Sequence, residues 1–260
     1  MPQAASISIR RKEALQLISR KGFVSLAELS GALGVSHSTA RRDLEILEGQ
    51  GQVRRTHGGV VSLAEPPTSR LGYADREATA VGEKRAIAAE IARRIGENET
   101  VCLDGGTTCY HVADALAGRR ISIVTNSVPI AALLGGPAST EVTLIGGYLY
   151  PRTGVALGAM AEEMLGALRV VRAVMSCAAV NPDGVFNVNE MMASVEQKMI
   201  AVADEVILAV DHTKFGRRSI AWVCALEAVD VVVTDAGVDA ETLAWLKQAP
   251  VEIVVAGGAP

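Results

Sequence analysis

A run of small and polar residues at positions 104–108 has the composition of an anion-binding site. It reads Asp104-Gly105-Gly106-Thr107-Thr108 and lies between a β-branched segment and a helical pattern that begins near Tyr110. Glycines let the backbone approach a ligand closely, and successive amide groups at a helix N-terminus favour negative charge. The threonine hydroxyls add hydrogen-bond donors. We predict a phosphate cradle here, with an ordinary strand-to-helix turn as the alternative.

Three further apolar segments end in polar or glycine-rich residues: Thr125-Asn126-Ser127, Gly146-Gly147 and Asp211-His212-Thr213-Lys214-Phe215-Gly216. If the segments are parallel strands, their carboxyl ends meet at one edge of a sheet, where ligands bind. Lys214 offers a point charge for a phosphate, and Asp211 could accept from sugar hydroxyls or orient that lysine. The alternative for Lys214 is a solvated surface cation.

The sequence lacks the usual signatures of nucleotide, zinc and disulfide chemistry. The 104–108 run has neither the lysine of a G-x-x-x-x-G-K-[ST] loop nor the G-x-G-x-x-G spacing, which disfavours nucleoside triphosphates and NAD. The cysteines contain no C-x-x-C pair, so neither a zinc site nor a disulfide framework is indicated. They are Cys102, Cys109, Cys177 and Cys224. We therefore expect no cofactor, no metal, and reduced, mostly buried thiols.

A second chemistry is indicated between residues 24 and 43, where two short helices are predicted with a tight turn between them. Ser25 and Glu28 have the spacing of a capping box, and Gly34 can end the first helix in a left-handed conformation. Ser36 can cap the second helix. The residues expected to face inward on that second helix are Ala40, Leu44 and Leu47.

Hydrogen-bond donors collect at the N-terminal end of the second helix and on a hairpin predicted to follow it. A recognition helix inserts this end into the major groove, where Arg bonds guanine and Ser or Thr contacts base edges or phosphates. Gln52 to Thr56 and Val60 to Ser62 can pair as a wing, whose cations would reach phosphate or the minor groove. A capped amphipathic helix pair without DNA binding is the alternative. The predicted DNA contacts are Ser36, His37, Ser38, Thr39, Arg41, Arg42, Arg54, Arg55 and His57.

These residues need two different scaffolds. Ile9 to Lys21 supplies a first helix, which completes a winged helix-turn-helix domain over residues 1–62, and proline and glycine indicate a linker over 63–80. From 81 to 260, a helix is followed by β-branched segments that alternate with helical ones, which predicts an α/β domain with a mostly parallel sheet and helices on both faces. The predicted strands are Thr100 to Leu103, Ile121 to Thr125, Val142 to Ile145, Ala173 to Ser176, Val206 to Val210, Val231 to Thr234 and Glu252 to Val255.

The composition agrees with a globular protein that binds DNA through one end. Of 260 residues, 49% are hydrophobic and 21% are charged, which is typical of about two folded domains. The net charge is −4, yet residues 1–62 carry nine basic and five acidic side chains and are therefore positive. The acidic remainder should leave DNA binding to the small domain. The apolar runs are too short for a membrane span and the N-terminus lacks a signal core, so the cytoplasm is expected.

Motifs in both domains carry a family resemblance. From about Arg10 to Val61 the chain resembles the N-terminal domain of DeoR-type bacterial transcriptional regulators, through S-x-S-T-x-R-R-D-L at 36–44 and R-R-T-H-G-G at 54–59. From Gly82 to Gly237 it resembles the sensor domain of that family, itself similar to ribose-5-phosphate isomerase, through D-G-G-T-T, T-N-S, L-I-G-G and D-H-T-K-F-G in family order. Ala40 departs from the usual valine or isoleucine, which puts the packing under the second helix in question.

The resemblance implies a sensor for a phosphorylated sugar or polyol. It places the phosphate against Gly106, Thr107 and Thr108. It places the remainder of the ligand against Asp104, Asn126, Asp211 and Lys214. Arg152, in the sequence YPRTG, resembles a family arginine near the ligand mouth, with a position in a surface loop as the alternative.

Residues 186–199 depart from the family pattern. Glu196 and Lys198 have altered spacing there, and it is open whether they contact the ligand. Asn187 is a further candidate for hydroxyl recognition. Two methionines, Met191 and Met192, either make the approach to the site more apolar or fill the core.

We expect a transcription regulator that acts as a repressor of a carbohydrate-catabolism operon and leaves its operator when a phosphorylated sugar or polyol binds. A homodimer or homotetramer is expected because paired recognition helices match repeated half-sites. One alternative is a sugar-phosphate isomerase-like enzyme with a DNA-binding domain. Asp104, Asp211 or Glu196 could then be the general base, although no paired-carboxylate spacing, metal cluster or His-centred triad selects one. A second alternative is a structural DNA-bridging protein that ignores sugar phosphates.

Overall fold

The computed structural model describes residues 10–15, 17–18, 23–50, 52–56, 59–62, 76–136 and 139–257. The chain divides into two compact units, a smaller N-terminal one and a larger C-terminal one. His57, the side chain of Arg54 and positions 63–75 of the predicted linker lie outside the described residues. None of the helices in the described part of the chain is long and apolar enough to cross a membrane.

The N-terminal unit is a winged helix-turn-helix. Helical residues at 10–15 and 17–18 are followed by β1 (Phe23–Ser25), α1 (Leu26–Leu33), α2 (His37–Gly49), β2 (Val53–Thr56) and β3 (Gly59–Ser62). The strands form an antiparallel sheet in the order β1-β3-β2, so the predicted hairpin is confirmed. The third strand, β1, is not part of the prediction, because three residues are too few to show a strand alternation.

Capping residues set the bounds of the two helices. The hydroxyl of Ser25 accepts from the Glu28 amide at 3.1 Å, and that of Ser36 accepts from the Thr39 amide at 3.3 Å. Gly34 ends α1 at φ 62°, in the left-handed region that favours glycine. The inward face predicted for α2 is confirmed, since its three apolar side chains belong to the buried core. This core contains Ala40, Leu44 and Leu47 together with Ile18, Leu29 and Val53.

The C-terminal unit is built on a parallel sheet of seven strands. These are β4 (Thr100–Leu103), β5 (Ile121–Thr125), β6 (Thr140–Leu144), β9 (Val170–Met175), β12 (Ala203–Ala209), β14 (Val231–Asp235) and β15 (Glu252–Ala256). Their order is β15-β14-β12-β9-β4-β5-β6, and each neighbouring pair is parallel. All seven are predicted strands. The prediction starts β6, β9 and β12 too late, because pairing continues through polar residues such as Glu141 and Arg172.

Helices cover both faces of this sheet, as predicted. On one face α3 (Val81–Arg94), α4 (Thr107–Leu116) and α5 (Val128–Leu134) share a core with Val101 and Leu103 of β4. On the other face, α6 (Ala159–Gly166) and α7 (Glu190–Val202) share a core with Cys102 of β4. On that face α8 (Ala240–Leu246) also contributes Leu246 to a core that contains Leu208 of β12. The prediction that α4 starts near Tyr110 is wrong, because Gly106 is its N-cap residue.

Two small sheets lie beside the main one, and neither is predicted from the sequence. A hairpin joins β7 (Tyr148–Tyr150) to β8 (Val155–Leu157). An antiparallel sheet is formed by β10 (Ala179–Asn181), β11 (Gly184–Asn187) and β13 (Ala221–Cys224). Strands of three or four residues show no reliable alternation. Both sheets bear on the site, because Arg152 lies in the hairpin turn and Asn187 ends β11.

Asp43 ties the first helical segment to α2. Its side chain is 4% exposed and accepts from Arg10 Nε at 2.7 Å and from Arg11 Nε at 2.9 Å. Burial alone would raise the pKa of Asp43, but the two guanidinium groups outweigh it and hold the pKa below its usual range. The carboxylate is therefore a structural part of the R-R-D motif, whereas the neighbouring Arg41 and Arg42 are exposed.

We predict that Asp43→Asn lowers the free energy of unfolding of the N-terminal unit by about 2 kcal/mol at pH 7. The loss is smaller than for a fully buried pair because Arg10 and Arg11 remain 23% and 28% exposed. Calorimetry of the whole chain measures it. A carboxyl group with a depressed pKa stabilises the fold above its unfolded pKa of about 3.9 and loses this effect as the pH falls. The difference between the proteins should therefore shrink below about pH 4.

The matched control is Glu45→Gln, which removes a carboxylate from an exposed position on the same helix. An exposed ion pair contributes about 0–1 kcal/mol, so this change should be close to neutral. Equal unfolding transitions for wild type and Asp43→Asn at pH 7 would contradict the structural role of Asp43.

Candidate effector site and DNA-reading helix

The carboxyl ends of β4, β5, β9 and β12 bring polar side chains to one edge of the main sheet. Most of the predicted effector residues are buried there: Asp104, Thr107, Thr108, Thr125, Asn126, Ser127, Asn187, Glu196 and Asp211. Five others remain at least partly exposed: Gly106, Gly146, Gly147, Arg152 and Lys214. Buried polar groups need partners, so the contacts of each one show what it can offer a ligand.

The 104–108 run forms the turn from β4 into α4. Asp104 accepts from the amide of Ser176 at 3.3 Å and from the amides of Gly105 and Gly106. A Cβ atom on Gly105 would collide with Val155, and one on Gly106 would collide with Ser176. The packing of the protein itself therefore requires glycine at both positions. Thr107 and Thr108 occupy the first turn of α4, where a phosphate would meet the helix N-terminus.

Asn126 holds the β7–β8 hairpin against the end of β5. Its side-chain Nδ2 atom donates to the backbone carbonyl of Ala156 at 3.0 Å, and its backbone carbonyl accepts from the Ala156 amide at 2.7 Å. On either side of it, the Thr125 hydroxyl donates to the Leu103 carbonyl at 2.8 Å and the Ser127 hydroxyl caps α5. The T-N-S residues thus have structural partners. Among the residues described, the Asn126 Oδ1 atom has none, and it is buried.

The D-H-T-K-F-G segment begins with a short 3-10 turn, His212–Lys214. The Asp211 carboxylate accepts from the Thr213 amide at 3.0 Å and from the Thr213 hydroxyl, so part of its capacity shapes the turn. His212 is held by Asp235, which accepts from the His212 amide at 2.7 Å and lies 2.8 Å from its Nδ1 atom. This turn presents the partly exposed Lys214 beside Asp211.

Lys84 is a further candidate for the site and is not among the residues predicted from the sequence. Its side chain comes from α3, is 3% exposed, and donates to the Thr79 carbonyl at 2.6 Å and to the Arg76 carbonyl. Burial lowers the pKa of Lys84 to about 8, the charge of Lys214 lowers it further and that of Asp211 opposes the shift. Two cations and a carboxylate therefore lie close together. In the sequence, position 84 lies three residues before the apolar Ile87 and therefore on the same face of the helix. This spacing is the sequence pattern that indicates an inward-facing lysine.

The same contacts extend the sensor unit toward the N-terminus. Residues 76 and 77 are helical, and Lys84 binds the carbonyls at 76 and 79. This end of the predicted linker therefore lies in the larger unit.

Glu196 lies on the inner side of α7 and is 1% exposed. Its Oε1 atom accepts from Asn187 Nδ2, whereas its Oε2 atom has no hydrogen-bond partner among the described residues. Burial, together with the nearby charge of Asp104, raises the pKa of Glu196 well above its usual range. Lys198 is two residues after Glu196, so it lies about 200° from Glu196 around the helix, and its side chain is near Gly166 of α6. Of these two residues, the structure brings only Glu196 to the site.

The N-terminal half of α2 presents the predicted DNA contacts. His37, Ser38, Arg41 and Arg42 are exposed, and the Ser36 hydroxyl lies 2.9 Å from those of Ser38 and Thr39. Arg55 of the wing, another predicted DNA contact, is engaged by carboxylates of the same unit. It donates to Glu48 at 2.6 Å and to Glu45 at 2.9 Å, because both carboxylates lie on the side of α2 that faces β2.

The fold and these two sites define a two-domain DNA-binding protein whose larger domain carries a buried polar site. Residues 10–65 match the DeoR-like helix-turn-helix domain, and residues 79–236 match the DeoR C terminal sensor domain. The chain belongs to the DeoR family.

Relatives match over nearly the whole chain. The HTH-type transcriptional repressor CsqR of Escherichia coli is 32% identical and covers 95% of this chain and 94% of its own. The glycerol-3-phosphate regulon repressor of Haemophilus influenzae is 30% identical, and the match covers 96% of this chain and 98% of the repressor. A ribose 5-phosphate isomerase A structure from Methanocaldococcus jannaschii covers 51% of this chain and 53% of its own, at 14% identity and a TM-score of 0.37. That score is too low to support a comparison of function.

We predict that Glu196→Gln stabilises the sensor unit at pH 8 by roughly 1–3 kcal/mol. A carboxyl group with a raised pKa destabilises the fold once the pH exceeds its unfolded pKa of about 4.3, and the loss grows until the folded pKa is reached. The glutamine does not ionise and can keep the bond from Asn187. Thermal unfolding of both proteins between pH 5 and 8 measures the difference. It should widen as the pH rises, and a constant difference would contradict the raised pKa.

Proposed function

We propose that this protein is a transcriptional repressor of carbohydrate-catabolism genes and that a phosphorylated sugar or polyol releases it from its operator. The observation that carries the proposal is the buried Lys84, whose ammonium group interacts with the charges of Asp211 and Lys214. Two cations and a helix N-terminus form an anion site, and the buried polar groups beside it suit hydroxyl groups. The relatives named as repressors support the direction of regulation.

The proposed site has a phosphate half and a hydroxyl half. The phosphate half consists of the first turn of α4 with Thr107 and Thr108, together with Lys84 and Lys214. In the hydroxyl half, acceptors and donors come from residues in or directly after five separate elements. They are Asp104, Asn126, Asn187, Glu196 and Asp211. Arg152 stands at the entrance, in the β7–β8 turn.

Regulation requires that the effector binds the DNA-incompetent form of the protein more tightly than the competent form. By linkage, operator DNA then weakens effector binding by the same factor, and a coupling of about 3 kcal/mol would give roughly a hundredfold change. We propose a homodimer or homotetramer, because two recognition helices match two half-sites. Binding is sufficient for this function, and turnover of an aldose or ketose phosphate by the purified protein would favour an isomerase instead.

We predict that Arg41→Ala weakens binding to the operator by about 1–3 kcal/mol and relaxes the preference at one base pair. Arg41 is exposed on α2 and can bond a guanine edge. Gel-shift titration with an operator selected from a random DNA pool, and with single-base variants of it, measures both effects. Effector affinity should be unchanged. An equal loss on operator and random DNA would assign Arg41 to phosphate contact.

We predict that Lys214→Ala and Lys84→Met each weaken effector binding by roughly tenfold or more, since each removes a charged donor from the phosphate. A thermal-shift screen of phosphorylated sugars against their free sugars identifies the compound, and calorimetry measures its affinity. Lys247→Ala is the matched control, because Lys247 is an exposed lysine that follows α8. If both site variants bind the compound as tightly as the control does, the phosphate half is placed wrongly.

A further inference from the structure

The carboxyl group of Glu196 has one unused oxygen at the proposed effector site. Its side chain is 1% exposed, and the Asn187 amide satisfies Oε1. Oε2 is buried with no partner among the residues described. A buried polar atom of this kind is costly unless something completes it. Asp104, in the turn into α4, lies near enough for its charge to act on the Glu196 carboxyl group.

Glu196 and Asp104 are both buried and their charges interact, so the two carboxyl groups do not both ionise readily and one of them holds a proton. The hydrogen bonds of the two carboxyl groups indicate which of them holds this proton. Burial raises the pKa of Asp104 as well, but the amides of Gly105, Gly106 and Ser176 oppose that shift, because such donors stabilise a carboxylate. Glu196 accepts from one neutral side-chain amide, that of Asn187. The proton therefore belongs on Glu196, and Oε2 is the oxygen free to carry it.

We propose that Glu196 is a neutral carboxylic acid that donates a hydrogen bond from Oε2 to an oxygen of the bound effector, and so selects a ligand with a carbonyl or hydroxyl oxygen at that point. The inference rests on the proposed function, because it needs a phosphorylated ligand in the site. Glu196 is then a specificity residue for the organic part of the effector. It leaves the phosphate to α4, Lys84 and Lys214.

The proposal makes effector affinity depend on pH. Raising the pH ionises Glu196, which removes the donor and sets a second negative charge beside Asp104. In the described part of the chain, three thiols also interact with the Glu196 carboxyl group, from α4, from the residues after β9 and from β13. They are Cys109, Cys177 and Cys224, and burial raises the pKa of each well above neutrality. These thiols stay neutral while Glu196 titrates.

Lys84 also loses its proton as the pH rises, since its pKa is about 8. A comparison of variants separates the two groups, because a change at position 196 leaves the lysine in place. Glu196→Gln keeps a donor, in the form of an N–H, and does not ionise. Glu196→Met has a similar size and offers no donor, so it tests the hydrogen bond without opening a large cavity.

The experiment measures dissociation constants by calorimetry for the wild-type chain and both variants between pH 7 and 9. The probes are ribose 5-phosphate, fructose 6-phosphate, glycerol 3-phosphate and inorganic phosphate. For the organic phosphate that binds wild type best, we expect Glu196→Met to lose roughly tenfold or more at pH 7 and Glu196→Gln to stay within a few fold. Wild-type affinity should fall more steeply with pH than that of Glu196→Gln. Inorganic phosphate should bind all three proteins alike.

Three outcomes would overturn the inference. Equal pH dependence in wild type and Glu196→Gln, or full affinity in Glu196→Met, would show that no proton on Glu196 is used. A parallel loss of inorganic phosphate binding in Glu196→Met would show that the residue only supports the fold of the site. If none of the organic phosphates binds wild type, the proposed function fails, and this inference fails with it.

Discussion

The parallel pairing of β4 with β5 and β9 is the contact on which the sensor site depends. It aligns the ends of these strands, so Asp104, Asn126 and Ser176 come to one edge although they are far apart in sequence. The hydrogen bonds from Ser176 to Asp104 and from Asn126 to the hairpin exist only in this register. A shift of one residue would turn each side chain to the other face of the sheet.

This edge buries charged and polar groups that water would otherwise solvate. Lys84 is compensated by backbone carbonyls and a nearby carboxylate, while Glu196 retains an oxygen without a partner among the described residues. Such groups lower the stability of the empty protein, and a ligand that completes them recovers that free energy on binding. Lys84 also donates to the carbonyls of Arg76 and Thr79, which precede α3 in the chain.

In the N-terminal unit, charges on α2 divide between two tasks. The carboxylate of Asp43 faces inward and is neutralised by Arg10 and Arg11, which fastens the first helical segment to α2. Arg41 and Arg42 precede it in the same motif and face outward. Arg55 is engaged by Glu45 and Glu48, so reaching a phosphate would require it to leave those partners. The helical period alone explains why neighbouring residues in one motif have such different roles.

The sequence by itself determined the two-domain plan, both helix caps, the inward face of α2 and all seven strands of the main sheet, because capping, period and β-branched runs are local properties. It also indicated which strand ends carry polar residues. Only the tertiary structure decided how those residues are used. The folded chain packs protein side chains against Gly105 and Gly106, and Asn126 donates to the β7–β8 hairpin. Lys84 and Glu196 come to the candidate site from two separate helices. These outcomes depend on packing between distant segments, which no local pattern records.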